Sequence, residues 1–499
     1  MEPSARKFSS LLFVYLCAGL LLSHLTQFFL RTPTIWPDES LFAAPAIDLI
    51  RHGKMGTPLL TEVLPGIGER TYWMPPVYFV LLSGVFKIFG PGILAMRGLT
   101  LAVSFGVMAL TALIAVEIGL GVWGALFGFC ILSLHELFES TLVVGRMESL
   151  VLLFLFSSLW LVVRELNHSE HAPMRALRLA WAGLFAGLAA MTHPFGVVGC
   201  ATLGVALLFH SPKNVSLAER LKLLMIAALA AIACVIPWGF YILQSPEDFK
   251  GQFGSQMARK AAMVSSYSLF EILRFNLEAF CSKGWVVGAL FLILGLLGIR
   301  LCGLKKRGAW AVFWAQSFIL VMLLSTREVW YPAYLIPLTA VGLSVLTRLE
   351  SIQYFPRKIA MSLFVLAWIG SGYWCLRGFL HRVHESVHMF EAHHEPTAYL
   401  KWAQKINQAL PQNKQVLIAS IPDPTFGLLD REDLKLRQFS PVSTESVQYE
   451  QYLASADYIV VSQRVVDARV EAYARKNGVL ADTIVMPDDP EFKAYIFKM

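Results

Sequence analysis

Charge is scarce in this chain. Only 15% of its 499 residues are Asp, Glu, Lys or Arg, while 56% are hydrophobic and the mean hydropathy is +0.57. Soluble proteins of this length carry nearer a quarter charged residues, so a soluble globular protein is excluded and a polytopic membrane protein is expected. Cysteine is scarce too. Six of the seven lie within or at the ends of apolar segments, Cys281 stands alone in a polar loop, and none lies beyond residue 380. No disulfide framework is therefore visible. The chain has no internal repeat, which weighs against a transporter built from related halves. No Gly-rich phosphate loop is present, so no nucleotide site is assigned. The net charge of +7 is no footprint of nucleic acid, because the Lys and Arg cluster in short loops between apolar runs, the pattern that sets membrane orientation.

What is present is a series of long apolar runs. They fall near 11–30, 94–117, 121–138, 143–163, 177–193, 196–210, 221–243, 284–300, 309–325, 331–347 and 359–377. The first follows Arg6 and Lys7, lacks a small-residue cleavage site, and at about 20 residues is long enough to span. It reads as an uncleaved first helix. A shorter run, 75–90, opens with Pro75-Pro76 and contains Lys87. If it does not cross and the amino terminus is cytoplasmic, the basic loops from Arg164 to Arg178, Lys213 to Lys222, Arg300 to Arg307 and Arg348 to Lys358 all fall on the cytoplasmic side, as the positive-inside rule requires. The expectation is about 11 spans, with 75–90 a juxtamembrane or re-entrant helix. The loop 31–74, the loop near 138–148, the loop 244–283, the turn 325–330 and the tail then share the outer face.

The tail changes character. Helices are expected at 397–410, 444–455 and 465–477, strands at Val416–Ala419 and Tyr458–Val461, and two further strands close the sequence. Alternating strands and helices give a small α/β domain with part of its sheet parallel. The fold class expected is an α-helical polytopic membrane protein (residues 1–380) with a small extracytoplasmic α/β domain (residues 381–499).

Chemistry-bearing residues gather on the outer face. Trp36-Pro37-Asp38-Glu39-Ser40 lies just past the first apolar run and opens an amphipathic stretch, Ser40 to Ile50, that suits a helix lying in the interface. Asp38 reads either as a helix cap or as a reacting carboxylate. Glu148, in Gly145-Arg146-Met147-Glu148-Ser149, opens an apolar span, where an ionisable side chain needs a partner or a function. Arg146 is the structural partner on offer. His193, in Met191-Thr192-His193-Pro194, sits at the outer end of a span and reads either as a ligand contact or as a histidine satisfied by a nearby carbonyl. Arg327 precedes Glu328, with Tyr331 and Tyr334 beyond.

The order of Asp38-Glu39, Trp73-Met74-Pro75-Pro76, Arg97-Gly98-Leu99 and Arg146-Met147-Glu148 resembles the C-type, polyprenyl-phosphate-dependent glycosyltransferases, in particular the protein O-mannosyltransferases and the lipid A aminoarabinose transferases. The resemblance covers roughly residues 8–380 and is most specific over 36–150. It implies that Asp38 is the catalytic general base and that Glu148 is the second acidic position. It further implies that Arg146, His193 and Arg327 hold the lipid phosphate's charge, with Glu39, Arg97 and Tyr331 among the substrate contacts. Two departures stand out. Lipid A transferases have Glu-Lys before Pro-Pro where this chain has Trp73-Met74, and the second acidic position is Glu148 rather than Asp.

Other features are less specific. His384 and His388 have the i, i+4 spacing of a metal clamp, but a solvated helix fits them as well. Lys250, Arg259, Lys260, Arg274 and Lys283 lie in the loop 244–283 among Phe and Tyr, and this loop reads equally as a lid over an anionic lipid or as an anchored interfacial helix. No cofactor is called for, and a divalent cation finds no supporting ligand set. The expected activity is inverting transfer of a hexose or pentose from a polyprenyl-phosphate donor to a glycan, lipid or protein acceptor. It would take place at the outer face of a bacterial inner membrane, with membrane lipids and no nucleic acid as partners. The rival from another class is a flippase for an amphipathic lipid, with Asp38, Glu148 and Arg97 as pathway charges.

Overall fold

The computed structural model describes residues 25, 32–168, 172–212, 215–281, 284–303, 306–345, 393–439, 449–462, 464–465 and 467–499. The expected first span, 11–30, apart from Leu25, the last, 359–377, and the histidines from His381 to His388 lie outside them.

After a two-residue strand β1 (Thr32–Pro33) comes helix α1 (Pro37–His52). Pro37 opens it at a position where a missing N–H costs nothing, and Gly53 closes it with φ 70°, a left-handed conformation that glycine adopts without strain. Helix α2 (Val77–Phe89) follows the Pro75-Pro76 pair. At 13 residues it is about 20 Å long, short of a bilayer core of about 30 Å.

The helical body continues through α3 (Ile93–Glu117), α4 (Gly121–Leu134), α5 (Glu136–Val143), α6 (Glu148–Asn167), α7 (Ala172–Ala190), α8 (Val197–His210) and α9 (Leu217–Ile242). Beyond it lie α10 (Pro246–Ser265), α11 (Leu269–Phe280), α12 (Trp285–Gly303), α13 (Gly308–Leu323) and α14 (Ile336–Ser344). Helix α6 is the centre of the bundle, packed between α3 and α7, and α7 packs on α9. Helix α9 leaves Leu221, Met225, Leu229, Ile232, Ile236 and Phe240 exposed, the outward apolar face that lipid covers.

Among the described residues, α3, α6, α9 and α12 are long and apolar enough to cross a membrane. Two expected spans are interrupted. The run 121–138 breaks at His135, where the backbone turns extended (ψ 120°) and α5 restarts. The run 331–347 begins as a 3-10 turn, Tyr331–Leu335, before α14, since Pro332 and Pro337 each remove a backbone donor.

The tail holds β2 (His393–His394), α15 (Pro396–Ala409), β3 (Gln415–Ile421), β4 (Lys435–Gln438), α16 (Tyr449–Ala454), β5 (Tyr458–Ser462), β6 (Arg464–Val465), α17 (Ala468–Asn477), β7 (Val479–Met486) and β8 (Asp489–Lys498). The main sheet runs β4-β3-β5-β8-β7. The β4–β3 and β3–β5 pairs are parallel and the β5–β8 and β8–β7 pairs antiparallel. Strand β5 is buried along its whole length, as a central strand covered on both faces must be. Trp402 of α15 is fully buried.

The tail is docked on the membrane body. Thr32 and Pro33 pair antiparallel with His394 and His393, and residues of α1, α2 and the tail sheet share one apolar cluster.

Candidate active site

The adjacent acids Asp38 and Glu39 part company at the start of α1. Glu39 turns inward and has no exposed surface. Its Oε1 accepts from Arg97 Nε at 2.8 Å and from the Gly145 N–H at 2.6 Å, and its Oε2 accepts from Arg97 Nη2 at 2.7 Å and from the Trp36 N–H at 3.0 Å. Four donors saturate the carboxylate, and the fork geometry is the strong form of an Arg–carboxylate pair. Arg97 is likewise wholly buried. Glu39 and Arg97, expected as substrate contacts, are therefore a strut that fixes α1 to α3, and their charges are spent on each other. Glu39, not Asp38, supplies the carboxylate that caps the helix.

Asp38 turns outward, its side chain 39% exposed. Its Oδ2 accepts from Arg146 Nη1, and no donor from the described residues reaches its Oδ1. Arg146 also binds Glu148, through Nη2 to Oε1 at 2.8 Å and through Nε to both oxygens at 3.2 Å. One guanidinium thus bridges two carboxylates. Its plane is held by rings, with Cζ 5.1 Å from the Phe42 centroid and 4.8 Å from that of Trp330, cation–π contacts that suit a desolvated guanidinium. Burial disfavours the Arg146 charge, but Glu148 and Asp38 outweigh it and the pKa is raised. The local sequence explains the placement. Asp38 and Phe42 are four apart and share a helix face. Trp73 stacks on Phe42 at 5.7 Å.

A second group of polar atoms meets beside this pair. His193 lies in the turn between α7 and α8, 1% exposed. Its Nδ1 accepts the Phe195 N–H at 3.2 Å, so the neutral ring carries its proton on Nε2 and donates it to Tyr331 Oη at 3.1 Å. Burial first, then the charges of Lys260 and Arg146, hold the His193 pKa well below the usual histidine value. Lys260 Nζ donates to the same hydroxyl at 2.8 Å. Because Tyr331 Oη accepts twice, its own proton is directed elsewhere. Lys260 is lowered to about 8, chiefly by burial. It stands close enough to Glu148 and Arg146 for both charges to act on it.

Lys260 rides on α10, an amphipathic helix in the 244–283 loop. Gln252 anchors that helix, accepting the Tyr72 N–H at 2.6 Å and donating to the carbonyls of Pro65 and Arg70 at 2.8 and 2.9 Å. Arg327 is not brought to the centre. Its Cζ lies 3.6 Å from the Tyr267 ring centroid and 4.7 Å from that of Phe275, while Glu328 pairs with Arg259 at 3.2 Å. The cation that does lie beside Tyr331 is Lys260, which the sequence offered only as one of five basic residues in its loop.

Asp38, Arg146, Glu148, His193 and Tyr331 thus converge, joined by Lys260, and Glu39 with Arg97 stand behind them. The opposite face of α1 borders a cleft of about 610 Å³ lined by Ala43, Ile47, Arg51, Phe426, Leu434 and Arg437 among others. None of the six converging residues lines it. Among the described residues, no group of three or more His, Cys, Asp or Glu is arranged to hold a metal ion.

With its apolar helical bundle and docked α/β tail, this integral membrane protein resembles the C-type, lipid-phosphate-dependent glycosyltransferases. Residues 74–241, about a third of the chain, match the family described as dolichyl-phosphate-mannose-protein mannosyltransferase. Among solved structures, ArnT from Cupriavidus metallidurans bound to undecaprenyl phosphate superposes with a TM-score of 0.63 at 16% identity, over 98% of this chain and 97% of that one. The oligosaccharyltransferase AglB from Archaeoglobus fulgidus, in complex with an inhibitory peptide and a dolichol-phosphate, gives 0.53 at 13% identity, over 94% of this chain and 71% of that one. The arabinofuranosyltransferase AftD from Mycobacteria gives 0.51 at 12%, over 97% and 40%. No curated protein sequence matches the chain.

Proposed function

We propose that this protein transfers a sugar from a polyprenyl-phosphate donor to a hydroxyl of a glycan, lipid or protein at the outer face of a bacterial inner membrane, with inversion. In this reading the amino terminus is cytoplasmic and the tail lies outside. The observation that carries it is the division of labour among three acids. Glu39 is saturated, Glu148 is buried on Arg146, and among the described residues Asp38 is the one of the three with an oxygen that no donor reaches, at an exposed position. The similar proteins with bound undecaprenyl phosphate or dolichol-phosphate support the donor class.

The chemistry follows from the placement. The acceptor oxygen attacks the anomeric carbon from the side opposite the phosphate, and its proton passes to Asp38 Oδ1. The bond from the anomeric carbon to the phosphate oxygen breaks and the phosphate leaves with the electron pair. A single displacement inverts the anomeric centre. The developing charge on the phosphate is met by the Lys260 ammonium, the free Tyr331 proton and the Arg146 guanidinium, pre-placed donors of the kind that stabilise a charge formed in the transition state. All the cations in this account are side chains, and no cofactor enters it. Arg146 holds Asp38 and Glu148 in register, and a buried neutral His193 orients Tyr331.

The test is reconstitution in liposomes with defined polyprenyl-phosphate sugars and candidate acceptors. Asp38→Asn keeps the size and removes the proton acceptor, and transfer is expected to fall by about 10²–10⁴-fold. Transfer that survives Asp38→Asn removes the general-base role. Lipid translocation without transfer replaces the enzyme with a flippase.

A further inference from the structure

The stretch that carries Asp38 is gripped from two sides. On the membrane side, Glu39 is locked to Arg97 and Gly145, and Arg97 Nη2 also reaches the Thr34 carbonyl at 3.4 Å. On the other side the grip comes from the tail. Gln438, at the end of β4, donates from Nε2 to the Pro37 carbonyl at 2.9 Å and to Asp423 Oδ2. The Asp423 N–H donates to the Ile35 carbonyl at 3.0 Å. Both tail side chains are fully buried. Asp423 is itself fixed, its Oδ1 accepting the Thr425 N–H at 2.7 Å and its carbonyl accepting from Tyr399 Oη at 2.7 Å.

With acceptors on both of its sides, the Gln438 amide can present only its NH₂. It serves as a double donor whose orientation is set by Asp423. The two grips fall on Pro37 and on Glu39, one residue to each side of Asp38. A buried side chain with both hydrogens committed resists displacement, because freeing either acceptor strands a desolvated carbonyl or carboxylate.

We infer that Gln438, oriented by Asp423, is a positioning residue for the reaction, and that the tail domain thereby completes the active centre by holding the backbone ahead of Asp38. The inference rests on Asp38 being the reacting carboxylate. It assigns the tail a part in turnover that needs no ligand of its own.

The test separates holding the tail together from holding Asp38. Gln438→Glu is isosteric and replaces the two amide hydrogens with at most one carboxyl proton, so it cannot donate to Pro37 and Asp423 together. The exchange Asp423→Asn with Gln438→Glu restores a donor–acceptor pair between the two side chains, now with position 423 donating, and at a pH where the new carboxylate is ionised it leaves the Pro37 carbonyl without its donor. Full-length protein is compared in three measurements. These are thermal stability in detergent, hydrogen exchange of the amides in 34–42, and kcat and KM with the undecaprenyl-phosphate sugar that the wild type consumes fastest.

The expected result is that the exchange variant recovers the melting temperature lost by Gln438→Glu. It is also expected to keep fast exchange in 34–42 and a kcat lowered about 10–100-fold at unchanged KM, the scale for a misplaced group. If kcat recovers together with stability, or if exchange in 34–42 is unaltered in both variants, the inference is overturned. If Gln438→Glu does not fold, Gln438→Met, uncharged and of similar length, removes both donors, and fast exchange in 34–42 with a lowered kcat at unchanged KM is expected, whereas unaltered exchange overturns the inference. A wild type that transfers no sugar overturns the transferase reading alone, since the exchange measurement still decides whether the tail holds this segment.

Discussion

Lys260 makes a pH dependence calculable. Its ammonium donates to Tyr331 at 2.8 Å, and burial lowers its pKa to about 8. A lysine with that value is charged in roughly nine molecules of ten at pH 7 and in roughly one of ten at pH 9. If the charged form is the one that binds a lipid phosphate, apparent affinity falls about tenfold across that interval, or about 1.4 kcal/mol. The neighbours do not mask the effect. Guanidinium groups keep their charge throughout, His193 stays neutral because its pKa is held well below the usual value, and the phosphate, with a second ionisation near about pH 6, is already a dianion.

The sign can be checked independently. A bound dianion favours the ammonium, so binding near pH 8 takes up roughly half a proton. Titration calorimetry of the purified protein with undecaprenyl phosphate, in buffers of different ionisation enthalpy, measures both quantities. Lys260→Arg is expected to flatten the dependence, and Lys260→Met to leave binding weak and flat. Affinity that is constant from pH 7 to 9 in the wild type, or a fall of the same size in Lys260→Arg, refutes the reasoning.

Three further outcomes are expected. Glu39→Ala removes the carboxylate that faces the buried Arg97 charge and costs about 3–5 kcal/mol of stability, read as a lowered unfolding temperature in detergent. Gly145→Ala places a methyl 2.7 Å from Met96 Cγ and 3.0 Å from Glu39 Oε1, which costs about 1–3 kcal/mol by overpacking in the same measurement. Arg327→Gln changes undecaprenyl phosphate affinity less than about twofold, whereas Tyr331→Phe weakens it about tenfold, the scale of one hydrogen bond to a charged group. Equal effects of the two substitutions count against placing the anion at Tyr331.

The apolar runs and the tail's alternation were legible because period and length report burial directly. Helix α1 and the start of α2 followed from proline and glycine punctuation. Strand β4 was not legible. Lys-Leu-Arg-Gln at 435–438 is polar enough to read as loop, and only its parallel pairing with β3 makes it a strand. At the site, the sequence named the acids without showing which would be spent. Asp38 and Glu39 are neighbours, and their opposite fates are decided by Arg97 and Arg146, 58 and 108 residues away. That Lys260, rather than Arg327, lies beside Tyr331 was not legible for a related reason. A run of cations in an amphipathic loop does not say which one the docking of that loop aims inward, and here the decision belongs to Gln252 and its three hydrogen bonds to residues 65–72.

The hydrogen bond from Gln438 to Pro37 joins residues 401 apart in the chain. At about 5–20 residues per second, a ribosome delivers Gln438 some 20–80 seconds after Pro37. Through that interval the helical body is being made and inserted while the Pro37 carbonyl waits for its donor. A chain released early, or one clipped between body and tail, would hold every charged residue of the centre and lack the last hold on it. On the proposed role of Gln438, synthesis order sets activation order: the centre is complete only once β4 has folded against Pro37.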